Sequence, residues 1–199
     1  MNESTGRAGY QFEFEDRVDC VFIGAGGHAY RNVYPALQYA PVNLRAVCDL
    51  DAERAETYAR MFGAASSGTD YRRVLEREKP AAAFIVTGYD GKTGRVQATD
   101  IAKECLDAGV NVWMEKPTAA SAGEVRELMA ASERSGCVVV TGLKKIFAPA
   151  MEKLGSVVGA PEFGGLSSLT VRYPQALPPF DQRADLRAMR GFLDHLYHP

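Results

Sequence analysis

The sequence predicts an α/β protein, a doubly wound parallel sheet followed by the start of an α+β domain. Strand-like and helix-like segments alternate between residues 18 and 156. The strand-like segments are near-continuous apolar runs, as expected of parallel strands covered on both faces. A glycine-rich turn follows the first of them, where such a fold places a ligand.

The elements follow in order. Val18–Ile23 reads as a buried strand. The next helix is expected over residues 32–39, with Pro35 tolerated in its first turn. Residues 44–48 form the second strand, and Ala52–Phe62 a helix closed by Gly63. Residues 70–78 read as a short helix, with Pro80 beyond its end. Residues 82–86 are a strand, and 93–108 a long amphipathic helix closed by Gly109. Asn111–Met114 is a strand. Ser121-Ala122-Gly123-Glu124 has the S-x-x-E form of a capping box and opens a helix that runs to Ser135. Gly136 closes it, and residues 138–141 form the last strand of the sheet.

After Gly155 the texture changes, with Gly159, Pro161, Gly164 and Gly165 marking a boundary. Residues 166–173 alternate as a strand of a half-exposed sheet, and residues 185–197 read as a last helix. The expected organisation is an extension over 1–16, the sheet domain over 17–156, and the beginning of a second domain over 157–199. That last stretch is too short for a core of its own.

At 199 residues and 46% hydrophobic content the chain suits a folded domain plus part of another. The net charge of -2, with both signs interspersed, provides no basic stripe for nucleic acid. The longest apolar runs, 81–86 and 137–140, are too short for a bilayer. The first seventeen residues have no apolar h-region and carry Glu3, Glu13, Glu15 and Asp16, against a secretory signal. Cys20, Cys48, Cys105 and Cys137 form no C-x-x-C pair and read as thiols in a reducing compartment, without disulfide or metal. A cytoplasmic location, with no nucleic acid or membrane as partner, is expected.

Gly24-Ala25-Gly26-Gly27-His28-Ala29 matches G-x-G-x-x-A, a variant of the dinucleotide fingerprint of Rossmann folds. Gly24 would permit the tight turn, Gly26 the approach of a pyrophosphate to the backbone, and Ala29 close helix packing. His28 is expected to face the phosphate region or solvent. Asp49 ends the second strand, close to the acid expected about 20 residues on. Its carboxylate would bind both ribose hydroxyls and repel a 2′-phosphate, favouring NAD over NADP. The alternative is a helix cap, a role for which Asp51 is better placed. Glu115-Lys116-Pro117 ends the strand Asn111–Met114. A lysine there is either a solvated turn residue or a cation at the ligand edge of the sheet.

These segments resemble the glucose–fructose oxidoreductase and inositol dehydrogenase (Gfo/Idh/MocA) family. The matches are Ile23-Gly24-Ala25-Gly26-Gly27, Ala46-Val47-Cys48-Asp49, Ala108-Gly109-Val110-Asn111-Val112 and, most specifically, Glu115-Lys116-Pro117. They cover residues 18 to about 156 and resume in Asp194-His195-Leu196-Tyr197-His198. The resemblance implies NAD-dependent hydride transfer to or from a secondary alcohol of a sugar, polyol or related small molecule. Lys116 would stabilise the developing alkoxide, and Pro117 would follow a cis bond. Glu115 would hold the cofactor side or pair with Lys116. The family's D-x-x-x-H segment implies His198 as general base and Asp194 as the residue that binds substrate or orients it, four apart on one helix face. His195 lies off that face and reads as structural.

Two departures stand out. Where the family carries threonine-proline and a histidine, this chain keeps Thr87 as a cofactor-side contact and continues Gly88-Tyr89-Asp90-Gly91-Lys92. Where G-x-x-R-x-F-x-P is common, Gly142-Leu143-Lys144-Lys145-Ile146-Phe147-Ala148-Pro149 puts Lys145 in the arginine's place. Family members continue into an antiparallel sheet that walls the substrate and forms a homo-oligomer interface. The expectation here is therefore a truncated chain, and the competing reading is a nucleotide-binding regulatory or interaction module without turnover.

Overall fold

The computed structural model describes residues 14–90, 92–93, 95–174, 176–185, 188–189 and 191–193. Six parallel strands form one sheet in the order β3-β2-β1-β4-β5-β6. They are β1 Val18–Ile23, β2 Val42–Cys48, β3 Ser66–Gly68, β4 Ala82–Ile85, β5 Asn111–Met114 and β6 Val139–Thr141. The helices are α1 Ala52–Phe62, α2 Tyr71–Glu78, α3 Gln97–Asp107, α4 Ala122–Ser135 and α5 Pro149–Val158. The chain winds outward from β1 through β2 to β3, then crosses back to place β4 on the other side of β1. The β1–β4 junction is thus the point where strand order reverses, and open α/β sheets bind ligands in a crevice outside the carboxyl ends at such a point.

Alternate side chains of each strand feed two cores. Val21, Ile23, Ala83, Ile85, Val112 and Met114 pack against α2, α3 and α4. Phe22, Leu44 and Val47 face the other way, toward the helical turns after β1 and α1. Tyr34 is the centre of this second core: fully buried, it stacks on Phe22 at 3.9 Å and on Phe62 at 4.4 Å.

The caps match the sequence. Asp51, Asp70 and Ser121 accept backbone N–H groups at the starts of α1, α2 and α4, and Gly63 and Gly136 end α1 and α4 in the left-handed conformation. Glu124 adds a bond from the Ala120 N–H at 2.8 Å.

Four segments depart from expectation. The helix after β1 begins before residue 32, passes through a π turn over Ala29–Val33 and tightens to a 3-10 helix over Tyr34–Tyr39. Pro35 has no N–H to continue an α ladder, and the Tyr34 N–H reaches the Ala29 carbonyl instead. Strand β3 is added at the sheet edge, where Ser66-Ser67-Gly68 bear no apolar signal. Helix α3 starts at Gln97, not Thr93, because the preceding loop closes on itself. Tyr89 bridges Val96, the Asp90 N–H donates to the Arg95 carbonyl, and Asp90 Oδ1 accepts both the N–H and the hydroxyl of Thr93. Residues 166–173 are exposed and belong to no strand, since among the described residues no neighbour pairs with them. Of the last expected helix, residues 188–189 and 191–193 are helical, and residues 194–199 lie outside the described set.

All four cysteines are free thiols, and the described residues contain no cluster suited to a metal ion. No described helix is long and apolar enough to cross a membrane.

Candidate functional site

The crevice is built from the ends of β1, β4 and β5. Gly24 leaves β1 with φ +110°, and its N–H bonds the Cys48 carbonyl at 2.7 Å. A Cβ at this position would lie 2.0 Å from the Val86 carbonyl oxygen. Gly24 is therefore required by contact with the end of β4 as well as by its backbone angle. Gly26 differs, since a Cβ there would meet nothing within 4 Å, and one at Gly27 would meet only the Arg31 guanidinium at 3.8 Å. The turn thus faces open space, with no hydrogen bond on the Gly26 and Gly27 N–H groups among the described residues.

Asp49 sits beside this turn with its side chain only 15% exposed. Its Oδ2 accepts the N–H of the buried Ala25 at 2.6 Å, and its Oδ1 accepts the Asp51 N–H at 3.0 Å. Asp51 is the helix cap, accepting the Arg54 N–H at 3.1 Å, and that bond holds its carboxyl below the usual carboxylate range. The cap and the acid at the strand end are therefore different residues. Arg54 Nε stands 3.8 Å from Asp49 Oδ1, a cation beside the acid at the end of β2 that no sequence motif marks.

Thr87 closes β4. Its Oγ1 is buried and has no hydrogen-bond partner. An unmet buried hydroxyl costs on the order of 1–3 kcal/mol, so this atom is a ready contact for a polar ligand in the crevice.

At the end of β5 the Glu115 N–H bonds the Ile85 carbonyl at 2.9 Å, extending the ladder by one residue. Glu115 Oε2 accepts the Lys116 N–H at 2.7 Å, and Oε1 lies 3.0 Å from His28 Nε2. The Lys116–Pro117 peptide bond is cis, as the resemblance implied, and Pro117 is buried. Lys116 is half-buried, and its ammonium has no hydrogen bond or ion pair among the described residues. Thr118 anchors the turn from behind, through Thr141 Oγ1 at 2.7 Å and Thr99 Oγ1 to its carbonyl at 2.8 Å. Lys145, in the family's arginine position, lies 3.4 Å from the centre of the Tyr173 ring.

Gly24, Ala25, Gly26, Gly27, His28, Asp49, Thr87, Glu115, Lys116 and Pro117 therefore meet along one edge of the sheet. Asp194 and His198 lie outside the described residues. His28 turns toward Glu115, a contact 87 positions apart in the chain that no local pattern announces. Asn32, which bonds His28, carries no motif signal either.

The chain is similar to several known proteins. Mouse trans-1,2-dihydrobenzene-1,2-diol dehydrogenase is 28% identical over 150 residues, 75% of this chain and 43% of its own length. D-xylose 1-dehydrogenase (NADP(+)) 2 of Haloferax volcanii is 27% identical over 165 residues, 83% of this chain and 48% of its own. The chain spans about half the length of the curated relatives it matches. The crystal structure of a dehydrogenase from Chromobacterium violaceum shares the fold, with 24% identity and a TM-score of 0.66 over 75% of this chain and 42% of that one. The model of an oxidoreductase family with an NAD-binding Rossmann fold matches residues 18–143, and the chain belongs to that Gfo/Idh/MocA family.

Proposed function

We propose that this protein acts in NAD-dependent oxidation of a secondary alcohol in a sugar, polyol or related small molecule, or in the reverse reduction. The observation that carries the reading is the unpaired Lys116 ammonium at the end of β5, on the same sheet edge as the glycine turn. Family members bind NAD(P) in this fold. The residues here fit such a group: an open turn at Gly26, an acid at Asp49 and an orphaned hydroxyl at Thr87. The N–H groups of Gly26 and Gly27 would meet the pyrophosphate, with Ala25 and His28 flanking it. Asp49 would take the ribose hydroxyls, and Thr87, Glu115 and Pro117 would line the nicotinamide end. The cofactor, when bound, supplies the hydride acceptor or donor.

The chain's own groups handle the proton and the charge. Lys116 places a compact cation where the hydroxyl oxygen gains negative charge, and binds it more strongly in the transition state than in the ground state. His198 takes the hydroxyl proton and Asp194 orients substrate or base, roles that rest on the family resemblance. Residues 157–199 are read as the start of the domain that walls the substrate. The exposed Phe163, Leu166, Leu169 and Val171 support this, as apolar surface awaiting a neighbour. The names of the relatives make D-xylose and trans-1,2-dihydrobenzene-1,2-diol the first alcohols to try.

A second reading is a nucleotide-binding module without turnover, which the open turn, Asp49 and Thr87 would serve equally well. One experiment separates the two. NADH formation from NAD is followed with each alcohol for the wild type and for Lys116→Ala. Turnover by the wild type that falls at least about a hundredfold in the variant, with NAD binding kept, supports the enzyme. Equal NAD binding with no turnover in either supports the module.

A further inference from the structure

Two parts of the site are joined across a strand. His28 follows β1 and Glu115 follows β5, with β4 lying between those strands. His28 Nε2 and Glu115 Oε1 are nevertheless 3.0 Å apart, and the other carboxylate oxygen accepts the Lys116 N–H at 2.7 Å. On the far side of the ring, Asn32 Nδ2 lies 3.2 Å from His28 Nδ1 and also donates to the His28 carbonyl at 3.2 Å. A carbonyl can only accept, so the amide nitrogen must face it and donate. Nδ1 is then an acceptor, and Nε2 carries the proton that goes to Glu115. Each link of the chain Asn32–His28–Glu115–Lys116 has one donor and one acceptor. The carboxylate at its centre is 15% exposed and the imidazole 46%, so the link is shielded at the lysine end and open to the crevice at the other.

We propose that His28 is a positioning residue for Lys116. Through Glu115 it fixes the backbone from which the lysine side chain starts, so that the cofactor turn and the lysine form one unit. The proposal rests on the reading of Lys116 given above. Its physical basis is the sensitivity of such chemistry to placement, where an error of about 1 Å can cost on the order of a hundredfold in rate. Neither His28 nor Glu115 need touch the reacting atoms for this. Their work is done through the peptide N–H of residue 116.

The test is amide hydrogen exchange at Lys116, measured by NMR on the 199-residue chain, together with NADH binding by fluorescence. His28→Ala should speed exchange at Lys116 by about tenfold or more, the effect of freeing one held N–H. His28→Gln, whose amide can still donate to Glu115, should stay within about threefold of wild type. The His28 ring should carry its proton on Nε2. NADH affinity should fall about tenfold in His28→Ala, and Lys116 exchange in the His28→Ala/Glu115→Ala pair should be no faster than in the worse single variant. Resonances far from the crevice report whether each variant is folded, and His28→Gln decides the matter should His28→Ala unfold. Lys116 exchange that ignores His28, or that quickens further in the double variant, overturns the proposal. Should NADH fail to bind the wild type while Lys116 exchange still follows His28, the cofactor reading fails and the link stands. Should NADH bind while Lys116 exchange ignores His28, the link alone is wrong.

Discussion

Gly24 and Gly26 sit two residues apart in one turn, yet they should respond in opposite ways to an added methyl group. In Gly24→Ala the new Cβ lies 2.0 Å from the Val86 carbonyl oxygen at a backbone φ of +110°. The angle alone costs about 1–2 kcal/mol for an L residue. Forcing the β1 turn off the end of β4 adds about 1–3 kcal/mol of overpacking. The sum, roughly 2–5 kcal/mol, lowers Tm by roughly 5–20 °C in a domain of this size. In Gly26→Ala the Cβ meets nothing within 4 Å, and its φ lies outside the left-handed region. Stability should stay within about 0.5 kcal/mol of wild type or rise slightly, since alanine restricts the unfolded chain. The open space over Gly26 is where a pyrophosphate would approach, so NAD affinity should fall by at least about tenfold. Urea unfolding and calorimetric titration measure the two effects separately. A Gly24→Ala protein as stable as wild type would refute the described contact between β1 and β4. A Gly26→Ala protein that binds NAD as well as wild type would remove the glycine turn from the cofactor site.

Three further outcomes are expected. Thr87→Val removes a buried hydroxyl that has no partner, so the free protein should be unchanged or up to about 1 kcal/mol more stable, while NAD binding weakens; thermal melts with and without NAD check both signs. Burial pushes the thiols of Cys20 and Cys105 up to about 12, and burial with the neighbouring Asp49 takes Cys48 to about 11. The half-buried Cys137 should therefore react first with an aromatic disulfide, and the other three should react only on unfolding. The Arg77 side chain, with Ser66, holds the Glu78 carboxyl below its ordinary value of 4.5. A depressed folded value means the stability is present above about pH 4.5 and lost as pH falls below it, so Glu78→Gln should flatten the acid limb of the stability curve.

Much of the sheet is legible because its strands are apolar runs between strong stop signals. Val18–Ile23 and Asn111–Met114 need only their own residues to be seen. Strand β3 is not legible, since two serines and a glycine at an edge carry neither apolar content nor alternation. Residues 166–173 fail in the opposite sense: the alternation is there, but a strand exists only with a partner. The helix after β1 is displaced by Pro35, whose effect on the preceding turn depends on packing around Tyr34. In the site, the glycine turn, Asp49 and Lys116 are local motifs and read directly. Arg54 beside Asp49 and Asn32 beside His28 are set by tertiary approach, and so is the reach of His28 to Glu115 across the end of β4. Such contacts leave no periodic trace in the chain.

A calorimetric titration of the 199-residue chain with NAD and with NADP tests the cofactor site most directly. If Asp49 meets the ribose as proposed, it should repel a 2′-phosphate, with Arg54 offsetting part of that, so NAD should bind at least about tenfold more tightly than NADP. A folded protein that binds neither, or that binds NADP more tightly, would contradict the site assigned to the ends of β1, β4 and β5.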